Sequence, residues 1–260
     1  MIKDEIREYA KTLGIEKLGF SKNSVVALFP YFVKGEEGNL SLYARSIDYH
    51  IIAEEKLKVL SKILTKNGAA KIEIQVDKGE YNDRRAAYEA GLGFYGMNGM
   101  LICQEYGSYF FIGQIIHDLL IDSDPICERD CLMCGRCERE CPGKALSGGK
   151  VDEKKCLSQI TQKRGELTPK EESLIKHAKL CWGCDVCQRV CPHNGGLETT
   201  AMQEFMGDRI SHLALSDIED LSNSEFKKRY GQYAFSWRGK GVLLRNLKIL
   251  FSEGKSDEEK

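Results

Sequence analysis

Proline and tryptophan are scarce in this chain of 260 residues, with five and two respectively. Prolines so few and so scattered exclude a proline-rich linker or recognition segment. Long hydrophobic runs are missing as well. No stretch approaches the roughly 20 apolar residues that a membrane-spanning helix needs. The N-terminal MIKDEIREYAK is charged and amphipathic, unlike a signal peptide. Net charge is also lacking, since 38 Lys+Arg against 39 Asp+Glu leaves −1. That balance excludes a global field for a polyanion, so any nucleic-acid contact must come from a local patch. These absences lead us to expect a cytoplasmic protein with no membrane partner. What remains, 30% charged and 42% hydrophobic residues, is ordinary globular composition, and the length allows one large domain or two small ones.

Cysteine is the residue in excess. Of eleven, ten lie between Cys127 and Cys191, in metal-ligand spacing rather than the pattern of a secreted disulfide framework. The runs are Cys131-x2-Cys134-x2-Cys137-x3-Cys141-Pro142 and Cys181-x2-Cys184-x2-Cys187-x3-Cys191-Pro192, with Cys156 between them. Two such runs are the ligand pattern of a ferredoxin with two 4Fe–4S clusters. Two-residue gaps let three cysteines of one tight loop wrap one cluster, while the fourth, three residues on, points away to the other. Structural zinc needs only four ligands and gives no reason for the third and fourth cysteines or the proline. By this spacing one cluster takes Cys131, Cys134, Cys137 and the remote Cys191. The other takes Cys141, Cys184, Cys187 and one more, for which spacing nominates Cys181. Cys103 and Cys127 fit neither run and read as buried thiols.

Along the chain, residues 2–13 have helical apolar spacing up to Gly14. Lys17–Phe20 and Val25–Phe29 read as strands, the second closed by Pro30, and a long helix falls within Leu40–Lys66. Lys71–Val76 alternates as a strand, and residues 83–90 suggest a short helix with Asp83 at its favoured N-terminal end. Met100–Cys103 and Tyr109–Ile116 read as strands paired around Gly107. Alternating strands and helices up to about residue 120 predict an α/β (α+β) domain over 1–120. A ferredoxin-like double-cluster domain over 121–200 follows, then a helical segment over 201–260 with a frayed charged tail. The glycine-rich stretch Gly91–Gly99 lacks the strand–loop–helix order of a dinucleotide site. It is either a tight connection or a place where backbone approaches a large flat cofactor.

Around that stretch the sequence resembles a known family. The matching residues are Asp48-Tyr49-His50, Asp77-x6-Arg84, Ala90-Gly91-Leu92-Gly93-Phe94-x-Gly96-x-Asn98 and Gly107-Ser108-Tyr109-Phe110-Phe111-Ile112-Gly113. Further on come Cys156-Leu157-Ser158-Gln159-Ile160-Thr161 and Gly183-Cys184-Asp185-x-Cys187-Gln188-x-x-Cys191-Pro192-x-Asn194. Together they resemble the epoxyqueuosine reductases, cobalamin-dependent iron–sulfur enzymes that complete queuosine synthesis on tRNA. The resemblance implies a base-off cobalamin held by the first domain, two 4Fe–4S clusters feeding it electrons, and an external donor such as flavodoxin or ferredoxin. It places Asp77 as proton donor, where residue type alone also allows a turn or cap role. Asp48, Tyr49, His50, Arg84, Gly96 and Asn98 would line the cofactor or substrate pocket. It also nominates Cys156, rather than Cys181, as the last cluster ligand, and we take Cys156.

The chain departs from the family in three places. The Ser21–Val25 segment is short, Met97 stands where lysine is usual, and the sequence stops soon after Asn246, before the helical repeats with which longer members grip tRNA. Lys227, Lys228, Arg229, Arg238, Lys240 and Arg245 interleave with Tyr230, Tyr233, Phe235 and Trp237. That segment is either a phosphate- and base-contacting patch or a helix face with its aromatics packed inward. The expected activity is reduction of epoxyqueuosine in tRNA or in a modified nucleoside. The alternatives are the same redox chemistry on a non-tRNA substrate, or a ferredoxin-like electron-transfer protein without its own substrate.

Overall fold

The computed structural model describes residues 2–35, 37–77 and 79–252; of the tail expected to fray, 252–260, residues 253–260 lie outside the described residues. Helix α1 (Ile2–Thr12) buries Ile6 and Ala10, one turn apart, and the chain reverses at Gly14. Strands β1 (Lys17–Ser21) and β2 (Ser24–Pro30) form a hairpin closed by Lys22-Asn23, with Ser21 opposite Ser24. The shortened Ser21–Val25 segment is thus a two-residue turn, the tightest common hairpin connection. Helix α2 (Tyr49–Lys66) starts where the Asp48 carboxylate accepts the His50 N–H at 3.0 Å. Strand β3 (Ile72–Val76), helix α3 (Asp83–Glu89), the pair β4 (Phe94–Tyr95) and β5 (Leu101–Ile102), and strand β6 (Phe110–His117) complete this part.

The sheet order is β1-β2-β6-β3, and every pairing in it is antiparallel. The expected mutual pairing of 100–103 with 109–116 does not form. Leu101–Ile102 pairs back onto Phe94–Tyr95, and only the single bridge Cys103–Gly107 survives at the turn. The reason lies in β6 itself. Phe111 and Ile115 face one apolar layer while Phe110 and Ile112 face another, so the strand belongs in mid-sheet, between β2 and β3.

On one face α1 and α2 pack Leu57 and Leu60 against Phe20, Phe29 and Ile115. On the other, α3 and the glycine-rich stretch pack Ala87, Leu101 and Cys103 against Val26, Leu28 and Phe110. Fully burying each such large side chain stabilises the fold by about 1.5–3 kcal/mol.

The cysteine-rich part carries α4 (Arg136–Glu140), the small hairpin β7 (Leu146–Ser147) and β8 (Lys150–Val151), α5 (Leu157–Gln162), α6 (Pro169–Ala178) and α7 (Val186–Arg189). Helix α6 opens with Thr168 as cap, Pro169 in its first turn and Glu171 closing a reciprocal capping box. Two further helices, α8 (Asn223–Tyr230) and α9 (Lys240–Phe251), follow. Their Phe226, Tyr230, Leu243 and Leu247 join the same apolar cluster as α1 and α2, together with Trp182. Of the aromatics in the interleaved segment, Tyr230, Tyr233 and Phe235 are buried and Trp237 is exposed. Two of its cations also serve packing: Lys240 Nζ donates to the Glu219 carbonyl at 2.7 Å and Arg245 to the Lys163 carbonyl at 2.8 Å.

Asn246, wholly buried on α9, donates its amide to the carbonyls of Thr161 at 2.6 Å and Cys181 at 2.8 Å. It ties α9 to helix α5 and to the start of the second cysteine run. Asn246→Ala leaves two buried carbonyls unpaired, and the expected cost is about 2–4 kcal/mol. The check is a lowered urea midpoint for the cluster-loaded protein, followed anaerobically by far-ultraviolet circular dichroism.

Candidate active site and cluster-binding cysteines

The cysteines fall into two sets. Cys131, Cys134, Cys137 and Cys191 line one cavity, whose remaining wall includes Gly96, Met97, Asn98 and Ile102 from the glycine-rich stretch. Burial first, then the neighbouring charges of Cys131 and Cys191, push the Cys137 thiol up. The second set gathers around Cys187, whose thiol is pushed up by burial and then by Cys184, Cys156, Asp185 and Cys141. The fourth cysteine of each run therefore joins the other run's set. Among the described residues no three His, Cys, Asp or Glu side chains are set to hold a single metal ion. The grouping shows instead in the cavity shared by the first set and in the neighbouring cysteine charges that, after burial, raise the Cys137 and Cys187 thiols, an opposition that bound iron would relieve.

Cys181 stands apart, and the reason is a long-range pairing. Its N–H donates to the Asn39 carbonyl at 2.8 Å, Trp182 bridges in parallel to Leu40, and Ser41 N–H donates to the Trp182 carbonyl at 2.8 Å. This short ladder turns Cys181 and Trp182 into the apolar core, where both are wholly buried, and the Cys181 thiol donates to Asn39 O at 3.3 Å. Burial, without any other cysteine's charge, pushes that thiol up to about 12. Cys156 precedes α5, and α5 is fastened beside the second run because Gly183 N–H donates to Thr161 Oγ1 at 2.9 Å. Cys103 is buried and donates to Glu105 Oε2 at 3.0 Å, while Cys127 is half-buried.

The two halves of the molecule are joined by polar side chains from the quoted motifs. Asn194 accepts the Ser108 N–H at 2.8 Å and donates to Ser108 Oγ at 2.9 Å and to the Gln188 carbonyl at 2.7 Å. Gln188 in turn donates to the Ser108 carbonyl at 2.8 Å. Asp185, buried between two cysteines of the second set, accepts from Ser41 Oγ and, at 2.8 Å, from the Leu42 N–H. Burial pushes its carboxyl above the ordinary value despite those donors. The motifs thus explain one another: the second cysteine run is buttoned onto the sheet by its intervening residues.

Asp77 sits at the end of β3 in the left-handed region (φ +59°), which aspartate tolerates better than most residues. It is exposed, and the Tyr49 hydroxyl donates to its Oδ2. Tyr49 is held flat against Phe111, with ring centroids 3.8 Å apart and planes at 5°, and stacks on His50 at 4.2 Å. Burial first, then the Asp77 charge, push the Tyr49 phenol far up, so it stays a donor. His50 Nδ1 meets Asp48 Oδ1 at 2.7 Å, fixing the ring against the helix start. Asp48, Tyr49, His50 and Asp77 are therefore brought together. Gly96 and Asn98 instead face the first cysteine set, and exposed Arg84 donates to the Gly99 carbonyl at 2.5 Å. Helix α3 links the two groups, with Arg84 on the glycine-rich stretch and Asp83 on the Asp77 backbone.

Three residues in this linkage, Asp83, Gln75 and Gln114, carried no site role in the sequence reading. The available signal was a glutamine in each of two mainly apolar strands, IEIQV and FFIGQIIH.

Residues 130–194 match the family model described as a 4Fe-4S double cluster binding domain. The fold and the paired cysteine sets thus define an iron–sulfur protein with two clusters joined to an antiparallel α+β layer. The chain is 35% identical over 254 residues to the epoxyqueuosine reductase of Lactococcus garvieae, covering 96% of this chain and 71% of that protein. It superposes on an epoxyqueuosine reductase crystallised with an epoxyqueuosine-modified tyrosine-tRNA stem loop (TM-score 0.85, 26% identity, 96% of this chain and 80% of that one). It also superposes on the Bacillus subtilis epoxyqueuosine reductase whose aspartate-bearing catalytic loop is swung out of the active site (TM-score 0.84, 27% identity, the same coverage). The chain belongs to the epoxyqueuosine reductase family. It is accordingly an oxidoreductase with two 4Fe–4S clusters and a cobalamin cofactor. Among the described residues no helix is long and apolar enough to cross a membrane.

Proposed function

We propose that this chain reduces epoxyqueuosine in tRNA to queuosine in the cytoplasm, with Asp77 donating a proton to the departing epoxide oxygen. The observation that carries the reading is the placement of Asp77: exposed, held in a left-handed turn, and aimed by the hydroxyl of a stacked, buried tyrosine. Loss of the oxygen as water takes two electrons and two protons. A base-off corrinoid, when bound, would supply low-valent cobalt as the source of that electron pair. The chain's own task is to hold cofactor and substrate and to bring the proton to the oxygen.

The residues present suit such a cofactor. Asn98 is buried, and its Nδ2 has no acceptor among the described residues. The amide-fringed edge of a corrin offers one. Gly96 lets Asn98 lie there, because a Cβ at that position would stand 2.6 Å from Asn98 Oδ1 and 2.7 Å from Ile102 Cδ1. Arg84, held on the glycine-rich stretch, would support that same side, and Asp48, Tyr49 and His50 would hold the other. Cys131, Cys134, Cys137 and Cys191 bind one cluster, and Cys141, Cys156, Cys184 and Cys187 the other. Flavodoxin or ferredoxin supplies the electrons.

The relative crystallised with a modified tRNA stem loop supports tRNA as the substrate. The relative with its catalytic loop swung out supports a loop that closes on substrate, and we take the Asp77 turn as its counterpart. The decisive experiment incubates the reduced, cobalamin-loaded protein with tRNA containing epoxyqueuosine and assays queuosine by mass spectrometry. No product from protein with both clusters and the corrinoid bound would move the substrate to a non-tRNA molecule.

A rim residue gives a second check. Trp237 is half-exposed, its Nε1 donates to Gln162 Oε1 at 3.1 Å, and the Arg238 guanidinium lies 3.6 Å above its ring. Gln162 also donates to the Tyr43 hydroxyl at 3.3 Å. Base stacking on such a platform is worth about 1–3 kcal/mol, so Trp237→Ala is expected to raise KM for tRNA about tenfold with kcat little changed.

A further inference from the structure

We infer that Asp83 is the positioning residue that fixes Asp77 in its working geometry, gripping the backbone of the Asp77 turn from the opposite face of the sheet. This rests on the proposed role of Asp77 for its consequence, and on the hydrogen bonds alone for its mechanics. Gln75 and Gln114 stand directly opposite one another on β3 and β6, each 1% exposed, on the face covered by α3. Both amides donate to Asp83 Oδ1 at 2.6 Å. The other carboxylate oxygen, Oδ2, accepts the Asp77 N–H at 2.8 Å. Asp83 therefore uses one oxygen to anchor itself to the middle of the sheet and the other to hold the turn.

Gln75 continues the grip further along the chain. It donates to the Tyr81 carbonyl at 2.5 Å and accepts the Tyr81 N–H at 3.3 Å. Gly79 lets the turn lie on it, because a Cβ there would stand 1.9 Å from Gln75 Oε1. Asp77 thus straddles the sheet edge. Its amide faces Asp83 on the α3 side, and its carboxyl faces Tyr49 on the α2 side. A left-handed φ at a residue other than glycine persists only when its surroundings over-determine it. The Asp83 carboxylate, with three donors converging on it, is that determinant. An acid placed only to complement the helix α3 terminus would need none of them.

The test is Asp83→Asn in the full chain carrying both clusters and cobalamin. Asparagine keeps an oxygen for the two glutamine amides but sets an N–H against the Asp77 N–H. Expected are a kcat lowered about 10–100-fold, as for a small misplacement of a reacting group, and a KM for tRNA within about threefold. Amide hydrogen exchange over residues 74–84 should rise about tenfold, with iron content, corrinoid spectrum and exchange in α2 unchanged. Gly79→Ala serves as second variant, since it displaces Gln75 from beneath the turn while leaving Asp83 intact. It should raise exchange over the same residues, with a smaller fall in kcat. Unchanged exchange over 74–84 in both variants, or a rise in KM at constant kcat, would overturn the inference. Failure of the proton-donor reading shows elsewhere, as full turnover by Asp77→Asn, and leaves the exchange result for Asp83 standing.

Discussion

Asp77→Asn is expected to lower kcat by about 10²–10⁴-fold, the usual contribution of a positioned general acid, while leaving both clusters and corrinoid binding intact. Asparagine is a conservative probe at this position. It tolerates a left-handed φ about as well as aspartate, so the turn at φ +59° keeps its shape. Its Oδ1 still accepts from the Tyr49 hydroxyl, and its backbone N–H still donates to Asp83 at 2.8 Å. What is lost is the acidic proton. KM for tRNA should stay within about threefold, because the removed interaction belongs to the transition state. Single-turnover mass spectrometry of queuosine, with iron content and the corrinoid spectrum of the same preparation, is the measurement. Turnover above half of wild type would remove Asp77 from the chemistry. Tyr49→Phe, which removes the aiming hydroxyl but keeps the ring against Phe111, should fall between, at about tenfold.

What could be read from the sequence divides along the range of the interactions involved. The two runs of cysteines were legible because their spacing is local and the crossing of each fourth cysteine follows from the loop geometry. Helix α2 and strands β1, β2 and β3 were legible from periodicity. The partner of residues 100–103 was not, because Gly107 promises a local hairpin. Only the two-sided burial of β6 reveals that the strand is needed between β2 and β3. The grip on Asp77 was hidden similarly. Gln75 and Gln114 are 39 residues apart, and only the sheet register makes them neighbours under Asp83. The interleaved basic and aromatic segment stayed open for the same reason, and its answer is mixed: three aromatics pack inward and Trp237 alone faces out. The chemistry of this molecule was thus written in short motifs, and their relative placement in long-range pairings.

The choice between Cys156 and Cys181 shows that division most sharply, and it has a large expected effect. In Cys156→Ala the second set keeps only Cys141, Cys184 and Cys187. The iron content should fall from about eight to about four per chain, since each cluster holds four. The signal of one reduced cluster should vanish from the electron paramagnetic resonance spectrum, and turnover should stop for want of an electron route. Cys181→Ala should retain about eight irons and both signals. Its effect should be on stability, because the side chain lies wholly within the apolar core and its thiol donates to the Asn39 carbonyl at 3.3 Å. Removing that buried sulfur costs about 1–2 kcal/mol. Repeat spacing alone gives the opposite expectation, a lost cluster in the Cys181 variant and an intact pair in the Cys156 variant. That outcome would require the ladder of Asn39, Leu40 and Ser41 with Cys181 and Trp182 to open. Trp182, wholly buried beyond it, would then be drawn out of the core.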